Sequence, residues 1–587
     1  MGVTLVGFFI PPPLFLSLVF LLNQMQDFDT IIIGSGAGGL SAAICLARAG
    51  QKVLVLEQHY VPGGWCHSFF LNGQRFSPGV HYIGNLDKGK ATSRLYEGLG
   101  IANDLVFFRM NKAAYEHCWI GEERIDMPAG MEQLHEGLSK RFPEEKARLK
   151  KYLLLVRDVS RQLQIIIKMS GFWDNVMIPF RTKYLGKYGL FSLKRVLDWH
   201  IKDPLLKKVL NVQCADHGLP PAKASFPLHC AVMDHYFDGG FYPMGGGEAI
   251  VKAMTTAVKK YGGQIRTGIG VKRIILKNKK ATGVELQNGE RITANKIISN
   301  ADPNKTYLDL VGAENLSAKL RKRLAGTRYS VTSLMLFVTV DMDVQKAGLD
   351  SGNIWMFRNQ DLDQLFADMT VKDILKEDEF PGLFISCTTL KDPSSYNGRY
   401  HNLEVVTFID YASFEQFEKE KSTTSVVGEN KTNHSVEYLK HKERICEKLL
   451  NSLEKALPGV RGKIVQMELG TPVTNEFYVN TTRGNVYGTE KSFMQTGPFS
   501  FNKKSEIENL YLCGASILSH GVAGASSSGV TTAAAILNCK SDDLIKPIEG
   551  KEQDIRIYDA EDNSQWPDWL HQKREDKKRR FKEIAHT

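Results

Sequence analysis

The sequence lacks the features of a disulfide-stapled or zinc-binding protein. Its nine cysteines are odd in number and scattered along the chain, and no two of them are spaced as C-x-x-C. This pattern argues against a disulfide framework and against a zinc site, so we predict no metal. Unpaired cysteines are typical of a reducing compartment, and we therefore expect a cytosol-facing protein.

The sequence also lacks an apolar stretch long enough to cross a bilayer. In the apolar N-terminal extension 1–24, the run Leu14–Leu22 is far shorter than the ~20 residues that a membrane-spanning helix needs. The extension contains no basic residue, whereas a signal peptide begins with positive charge. Two interpretations stay open: Met25 is the true start, or the extension is a weak membrane anchor.

A nucleic-acid-binding signature is absent as well, although the net charge is +10. Much of the basic excess lies in the C-terminal segment 541–587, where seven Lys and Arg residues occur between Lys573 and Lys582. Charge runs of this kind are usually solvated, so we predict a charged tail in water, with a membrane-surface contact as the alternative. We expect no nucleic-acid partner.

The sequence does contain a dinucleotide-binding fingerprint near its start. Phe28–Ile33 predicts a buried parallel strand, Leu40–Ala49 a helix and Lys52–Leu56 the next strand. The turn between the first strand and the helix has the pattern G-x-G-x-x-G and carries Gly34, Gly36, Gly38 and Gly39. The unpaired N–H groups at such a helix start bind a pyrophosphate.

Glu57 closes the second predicted strand, 18 residues beyond Gly39. A carboxylate at this position accepts hydrogen bonds from two ribose hydroxyls and disfavours a 2′-phosphate. The fingerprint therefore predicts the ADP part of NAD or FAD. Two more glycine segments favour FAD, at Pro62–Gly64 and at Gly514–Gly529, where a second helix is predicted from about Ser528 to Leu537. A second helix N-terminus suits the negative charge of a reduced flavin ring.

Several longer stretches resemble the FAD oxidoreductases of carotenoids and retinoids, the family of phytoene desaturases, carotenoid isomerases and retinol saturases. The resemblance covers residues 27–540 and is carried by DTIIIGSGAGGLSAA, GVHYIG, HYFDGGFYPMGGGEAI, KIISNADP and LYLCGASILSHGVAGASSSG. GVHYIG and GGFYPMGG favour the retinol saturase branch. The sequence departs from the family at His520, where proline is common, and after residue 540, and this leaves the exact substrate open.

The resemblance implies an α/β fold, with a Rossmann-like FAD-binding domain of the two-dinucleotide-binding-domain type and an inserted α+β substrate domain. It implies an FAD-binding domain built from 25–110, 226–310 and 501–540, a helical region at 111–225 and a substrate domain at 311–500. The residues implied in cofactor binding are Gly34, Gly36, Gly38, Gly39, Glu57, Gly63, Gly64, Gly514, Gly524, Gly529, Val530 and, through its backbone, Val271.

The reaction implied is a redox change at a C=C bond of a retinoid or carotenoid polyene. Saturation is favoured, while desaturation and cis–trans isomerisation stay open. No side chain can carry a hydride, so the flavin must. The proton for saturation could come from His81, Tyr236 or Tyr242, each of which could instead be a packing residue. The sequence shows no second complete nucleotide fingerprint, so NAD(P)H, as electron donor, would bind only transiently.

Two other functions share this fold. One is a flavin amine oxidase, with an aromatic cage before the flavin. The other is a non-enzymatic escort protein that binds prenyl groups, for which an intact cofactor site has no use. The segment 165–194 mixes aromatic residues with Lys and Arg and predicts peripheral contact with a membrane, where polyenes dissolve. An ordinary helical subdomain is the alternative. The oligomeric state stays open.

Overall fold

The computed structural model describes residues 27–168, 181–358, 361–371, 373–422, 434–547 and 553–585; the extension 1–24 and much of the segment 165–194 lie outside these ranges. No helix in the described ranges combines the length and the apolar character needed to cross a membrane.

The strands are Phe28–Ile33, Val53–Leu56, Phe69–Leu71, Gln74–Phe76, Val106–Arg109, Glu116–Ile120, Glu123–Met127, Phe241–Pro243, Gln264–Arg266, Val271–Lys277, Lys280–Leu286, Arg291–Ser299, Thr332–Val340, Asn353–Phe357, Gly382–Cys387, His401–Ile409, Ile464–Gly470, Leu510–Leu512 and Arg556–Asp559. The α-helices are Ala37–Arg48, Ala91–Leu99, Met131–Arg141, Lys146–Lys168, Lys183–Tyr188, Leu193–His200, Pro204–Leu210, Phe226–His235, Gly247–Lys260, Ala318–Ala325, Leu362–Met369, Thr388–Lys391, Val436–Ala456, Pro472–Val479, Gly521–Leu537, Ser541–Leu544 and Asp568–Ala585.

The first sheet collects strands from three distant parts of the chain. Its parallel strands lie in the spatial order Leu510–Leu512, Arg291–Ser299, Phe28–Ile33, Val53–Leu56 and Gln264–Arg266. An antiparallel hairpin formed by the strands of residues 271–286 extends the sheet on one side. This parallel order with crossover helices is the doubly wound arrangement that binds dinucleotides at the carboxyl ends of its strands.

The predicted elements of this sheet are confirmed, with one shifted helix boundary of importance. The strand Phe28–Ile33 has its predicted bounds, and the second half of the fingerprint is a strand at Val53–Leu56. The C-terminal helix was expected to begin near Ser528, and it begins at Gly521 instead. Glycines and serines lie inside its first turns because this helix packs closely against the helix Ala37–Arg48, where larger side chains have no room.

The second sheet is mixed, and its central strands are buried on both faces. Its strands lie in the order Ile464–Gly470, Thr332–Val340, His401–Ile409, Gly382–Cys387, Asn353–Phe357, Glu116–Ile120 and Glu123–Met127. The helix Val436–Ala456 packs on one face, while alternate residues of the strands point the other way, towards the first sheet. The region 111–225, expected to be helical, therefore also contributes two strands, which pair with the end of this sheet.

The basic C-terminal segment is folded in its described part, so the prediction of a solvated tail is wrong there. Arg556–Asp559 pairs in parallel with Val106–Arg109, which adds an edge strand to a small three-stranded sheet. Trp566 and Leu570 are 6% and 0% exposed and pack against Phe108. Trp566 and Leu570 thus hold the helix Asp568–Ala585 against the protein, and the charged residues of this helix face the solvent.

Candidate flavin site and adjoining cavity

The two sheets face each other across one continuous cavity of about 310 Å³. One end is formed by the residues that follow the parallel strands of the first sheet, at the place where doubly wound folds bind ligands. The opposite wall is the inner face of the second sheet, lined by Met335, Trp355, Phe384, Val406 and Phe408. A polar, glycine-rich end thus opens directly onto an apolar, aromatic one.

Close backbone contacts shape the glycine-rich end. Gly34 has a φ of +92°, which side chains rarely adopt. A Cβ on Gly39 would lie 2.2 Å from the Gly34 carbonyl oxygen, and one on Gly529 would lie 2.0 Å from the Gly38 carbonyl oxygen. Gly34, Gly36 and Gly38 line the cavity, whereas Gly39 lets its helix pack closely on the first strand and Gly529 lets the two helices pack on each other.

Two other residues expected at the cofactor lie away from the cavity. Val530 is 2% exposed and packs in the core below the first sheet. A Cβ on Gly524 would meet Ser519 at 2.8 Å. Both residues shape the helix that begins at Gly521 and do not line the cavity. Gly63, Gly64, Val271 and Gly514 do line it, as the resemblance implied.

Glu57 is fixed at the mouth of the glycine turn. Its Oε2 accepts hydrogen bonds from the Ser35 backbone N–H at 2.9 Å and from the Ser35 hydroxyl at 2.6 Å, and its Oε1 accepts one from the His59 N–H at 2.9 Å. The carboxylate is buried yet borders the cavity. Its remaining lone pairs are the acceptors that ribose hydroxyls require.

The second glycine segment presents a helix N-terminus to the cavity. The helix Gly521–Leu537 begins after His520, with no side chain capping its first N–H groups. Gly521, Val522 and Ala525 line the cavity, so the positive end of the helix dipole points into it. Together with the glycine turn and Glu57, this uncapped helix start fits FAD: one end for the pyrophosphate and ribose, the other for the flavin ring.

Sequence reasoning gave no role to Asn300 and Asp302, although it quoted their motif. The Asn300 amide nitrogen lies 2.7 Å from where a Cβ on Gly36 would be, so its side chain packs directly on the glycine turn. Asp302 accepts hydrogen bonds from the Thr482 N–H at 2.6 Å and the Thr482 hydroxyl at 2.9 Å. Their position directly after a parallel strand was the signal that could have identified them.

The structure places one of the three predicted proton donors at the cavity. His81 lines it, with Nδ1 2.9 Å from a carboxylate oxygen of Glu404. Tyr236 is buried behind the wall and stacks on Tyr82, with ring centroids 4.2 Å apart. Tyr242 is 3% exposed, and its ring lies 5.7 Å from the buried Lys391 ammonium. The two tyrosines are therefore packing residues with no contact to the cavity.

Two carboxyl groups next to the cavity were not foreseen, the buried Glu116 and the partly buried Asp216. The Tyr82 hydroxyl lies 2.6 Å from Glu116 Oε1 and 2.8 Å from Asp216 Oδ2. Burial raises the pKa of Glu116 to about 7, and burial together with the charge of Glu116 raises the pKa of Asp216 well above its usual range. Sequence spacing gave no signal because the two acids are far apart in the chain and meet only through the fold.

A buried lysine stabilises the wall beside these acids. Lys391 is fully buried, and its ammonium donates hydrogen bonds to the His81 carbonyl at 2.8 Å, to the Ser386 hydroxyl at 2.7 Å and to the Asn353 side-chain oxygen. Burial lowers the pKa of Lys391 to about 7. The hydrogen bonds of the ammonium are thus satisfied inside the wall, and the residues of the second sheet that line the cavity are apolar.

Comparison with known proteins supports this site. The family profile described as flavin containing amine oxidoreductase matches residues 37–537. The all-trans-retinol 13,14-reductase of Danio rerio is 28% identical over 87% of this chain and 86% of its own length. The chloroplastic prolycopene isomerase of Daucus carota is 25% identical over 87% of this chain and 80% of its own length.

Solved structures share the fold. An oxidoreductase from Methanosarcina mazei superposes with a TM-score of 0.58 at 17% identity, over 86% of this chain and 99% of that chain. Putrescine oxidase bound to putrescine does so with a TM-score of 0.57 at 16% identity, over 87% of this chain and 99% of that chain. The predicted α/β fold with a Rossmann-like FAD-binding domain is confirmed, as is FAD as the cofactor. The chain belongs to the family of flavin-containing amine oxidoreductases.

Proposed function

We propose that the protein is an FAD-dependent reductase of a C=C bond in a retinoid or carotenoid polyene, similar to retinol saturase. One observation carries the proposal: the cavity of the dinucleotide site continues along an apolar, aromatic sheet face. A substrate with little polar character fits such a wall, whereas a charged amine would have to leave water for a surface with few polar groups.

The chain's own residues would bind the substrate, orient it and exclude water from around it. Met335, Val406 and Phe408 project from neighbouring strands onto one face, so they provide a flat surface along which an extended chain can lie. Bound FAD supplies the hydride chemistry. The wall excludes water, which protects a reduced flavin and keeps the polyene close to it.

The names of the relatives agree with this substrate class. Both the retinol reductase and the prolycopene isomerase are named for polyenes, and each aligns over most of its own length. The same cavity would serve isomerisation or desaturation, so these stay the alternatives within one substrate class. A gain, a loss or no change of two hydrogens in the product decides among them.

A nicotinamide nucleotide that binds transiently remains our expectation for the electron donor. It is tested by mixing the oxidised holoprotein with NADH or NADPH under anaerobic conditions. Bleaching of the flavin absorbance is the expected result. An unchanged spectrum would exclude both nucleotides as direct donors.

Peripheral membrane contact is the route by which such a substrate would reach the cavity. Leu190, in the described end of segment 165–194, is 67% exposed, and Trp199, just after the segment, is 54% exposed. The Arg195 guanidinium lies over the Trp199 ring. Exposed apolar side chains among basic ones suit an anionic interface.

Flotation with anionic vesicles tests this contact. We expect the protein to float at low salt, and L190D/W199D to float much less. The control is V465D, because Val465 is a 49% exposed apolar residue on the distant edge strand of the second sheet. Equal flotation of the double variant and the control would contradict the contact.

The substrate class is tested by incubating the reduced holoprotein with all-trans-retinol, cis-lycopene and phytoene and measuring product masses. A gain of two hydrogens is the expected result for the preferred substrate. A loss of two hydrogens would assign a desaturase, and an unchanged mass with an altered spectrum an isomerase. Bleaching of the oxidised flavin by putrescine, with no change in any polyene, would assign an amine oxidase.

A further inference from the structure

We propose that Asp216, linked through the Tyr82 hydroxyl to Glu116, is the proton donor for the polyene. The inference rests on the proposed function, because only reduction of a C=C bond requires such a donor. It replaces Tyr236 and Tyr242, which the fold keeps away from the cavity.

Counting hydrogen bonds shows that the cluster contains an extra proton. The Tyr82 hydroxyl lies within 2.8 Å of oxygen atoms of both carboxyl groups, yet one hydroxyl can donate only one hydrogen bond. The second contact is a hydrogen bond only if a carboxyl group donates it. Two carboxylates facing one hydroxyl oxygen without that proton would repel each other in a buried site.

The surroundings place this proton on Asp216. Glu116 also accepts hydrogen bonds from the Trp355 indole N–H and the Gln213 amide, both at 3.3 Å, so three donors stabilise its ionised form. Within the described part of the chain, Tyr82 is the one hydrogen-bond partner of the Asp216 carboxyl group. Asp216 therefore donates to Tyr82, which donates to Glu116, and the raised pKa of Asp216 agrees with this order.

Asp216 lies between the flavin-side helix and the apolar wall. Asp216 and Tyr82 both line the cavity. The Asp216 backbone carbonyl accepts a hydrogen bond from His520 Nε2 at 2.8 Å, and His520 immediately precedes the helix whose N-terminus faces the cavity. The carboxyl group is thus held beside the end of the cavity that fits the flavin ring.

Other titratable groups surround the cluster without bonding to Asp216. Tyr115 and Tyr236 are buried close to it, Tyr487 is partly buried there, and burial raises the pKa of all three. The Lys391 ammonium lies 5.9 Å from the Tyr82 ring, where it favours negative charge on the cluster after the proton has left. His81 and Glu404 pair with each other on the neighbouring wall.

The step balances in hydrogens and electrons. Saturation of one C=C bond adds a hydride, which brings both electrons, and one proton. The Asp216 O–H bond breaks and a C–H bond forms at the carbon that did not receive the hydride. The cluster is left with two carboxylates and the Tyr82 hydroxyl. A proton from solvent restores it before the next turnover.

The test compares Asp216→Asn with wild type in single turnovers of the reduced holoprotein with the polyene that the wild type reduces. We expect a rate loss of about 100-fold or more, the range for removing a general acid, with unchanged FAD content and substrate affinity. In D2O, the wild-type product should contain deuterium at the carbon that receives the proton. The alkaline fall of the wild-type rate, which reports the loss of the acid proton, should vanish in Asp216→Asn.

Two further variants keep the test informative. Tyr82→Phe removes the link while leaving both acids, and should lower the rate by about 10-fold, the low end for a disturbed proton donor. Glu145→Gln is the matched control, because Glu145 is a buried acid whose Oε1 accepts two backbone hydrogen bonds far from the cavity, and glutamine keeps that acceptor. We expect Glu145→Gln to retain the wild-type rate.

Infrared difference spectroscopy of the protein without substrate provides a readout independent of turnover. The carbonyl band of a protonated carboxyl group should be present in wild type at neutral pH and absent in Asp216→Asn. Retention of the band, or a rate within about 3-fold of wild type, would overturn the proposal. A raised KM with an unchanged rate would also overturn it, because Asp216 would then bind substrate only. If wild type reduces no polyene, the proposed function itself fails, and the donor role with it.

Discussion

The two ends of the cavity are built by opposite means. At the ADP end, backbone contacts decide the geometry: a single methyl group on Gly529 or Gly39 would lie about 2 Å from a carbonyl oxygen. At the substrate end, side chains decide the geometry, since Met335, Val406 and Phe408 project from the strands of the second sheet and line the cavity. The residue types at the ADP end are therefore restricted by the cofactor, whereas those at the other end can vary with the substrate.

The largest expected effect comes from breaking the ADP end. Gly529→Ala should cost about 3 kcal/mol or more, because its Cβ would lie 2.0 Å from the Gly38 carbonyl oxygen and force the two helices apart. We expect loss of bound FAD and a lower melting temperature. Gly186→Ala is the matched control, since Gly186 is also helical and a Cβ there meets nothing within 4 Å. FAD retention by Gly529→Ala would contradict the role of the helix contact.

A milder change separates FAD affinity from turnover. Glu57→Gln keeps the shape of the side chain but removes the charge that ribose hydroxyls and the Ser35 donors prefer. We expect the FAD dissociation constant to rise by about 10- to 100-fold, with the rate at saturating FAD unchanged. Titration calorimetry of the apoprotein measures it, with the exposed Glu132→Gln as control. An unchanged affinity would remove Glu57 from the site.

Filling the substrate end should lower turnover of the polyene and leave FAD affinity unchanged, the reverse of the effect expected for Glu57→Gln. Val406→Phe adds volume to the apolar wall, so we expect kcat/KM for a long polyene to fall by about 10-fold through a lost fit worth roughly 1.4 kcal/mol. The FAD dissociation constant should stay within about 2-fold of wild type. Val406→Ala, which enlarges the same wall, is the paired variant. A parallel loss of FAD in Val406→Phe would show that the two ends are not independent.

The sequence was informative where backbone geometry restricts residue type. Gly34, Gly39 and Glu57 could be placed because the turn, the helix contact and the ribose each demand one kind of residue at one spacing. The apolar run Ser333–Val340 predicts a strand, which the structure has at Thr332–Val340, but the sequence does not show which face meets the cavity, because a strand buried on both faces shows no alternation.

The remaining features depend on contacts between distant segments. Asp216 and Glu116 come from different elements and meet only at Tyr82. The helix start at Gly521 was hidden because its glycines and serines have low helix propensity and are kept there by packing against the helix 37–48. Trp566 and Leu570 anchor a basic segment whose composition alone is typical of a solvated tail.

The smallest expected effect concerns stability at the substrate end. Carboxyl groups whose pKa is raised in the folded state bind protons there more tightly than when unfolded, so their stabilising contribution is present at low pH and is lost as pH rises. For Asp216, which holds the proton, this loss begins above its usual pKa of 3.8 and is complete only above its raised pKa in the folded state. Asp216→Asn removes one of the two charges, so we expect its melting temperature to exceed that of wild type by about 1–3 °C at pH 8.

At pH 5 the melting temperatures of Asp216→Asn and wild type should differ little, because Asp216 is protonated in wild type at that pH. Differential scanning fluorimetry across this pH range measures the effect, with Glu145→Gln as control. A melting temperature of Asp216→Asn that falls below wild type by the same amount at both pH values would assign Asp216 a purely structural role.

The most direct test of the central claim, that one cavity brings a flavin and a polyene together, is an anaerobic titration of the reduced holoprotein with all-trans-retinol. We expect the absorbance of oxidised flavin to return in a one-to-one ratio with a product two hydrogens heavier than the substrate. Flavin that stays reduced in the presence of all-trans-retinol, cis-lycopene and phytoene alike would contradict it.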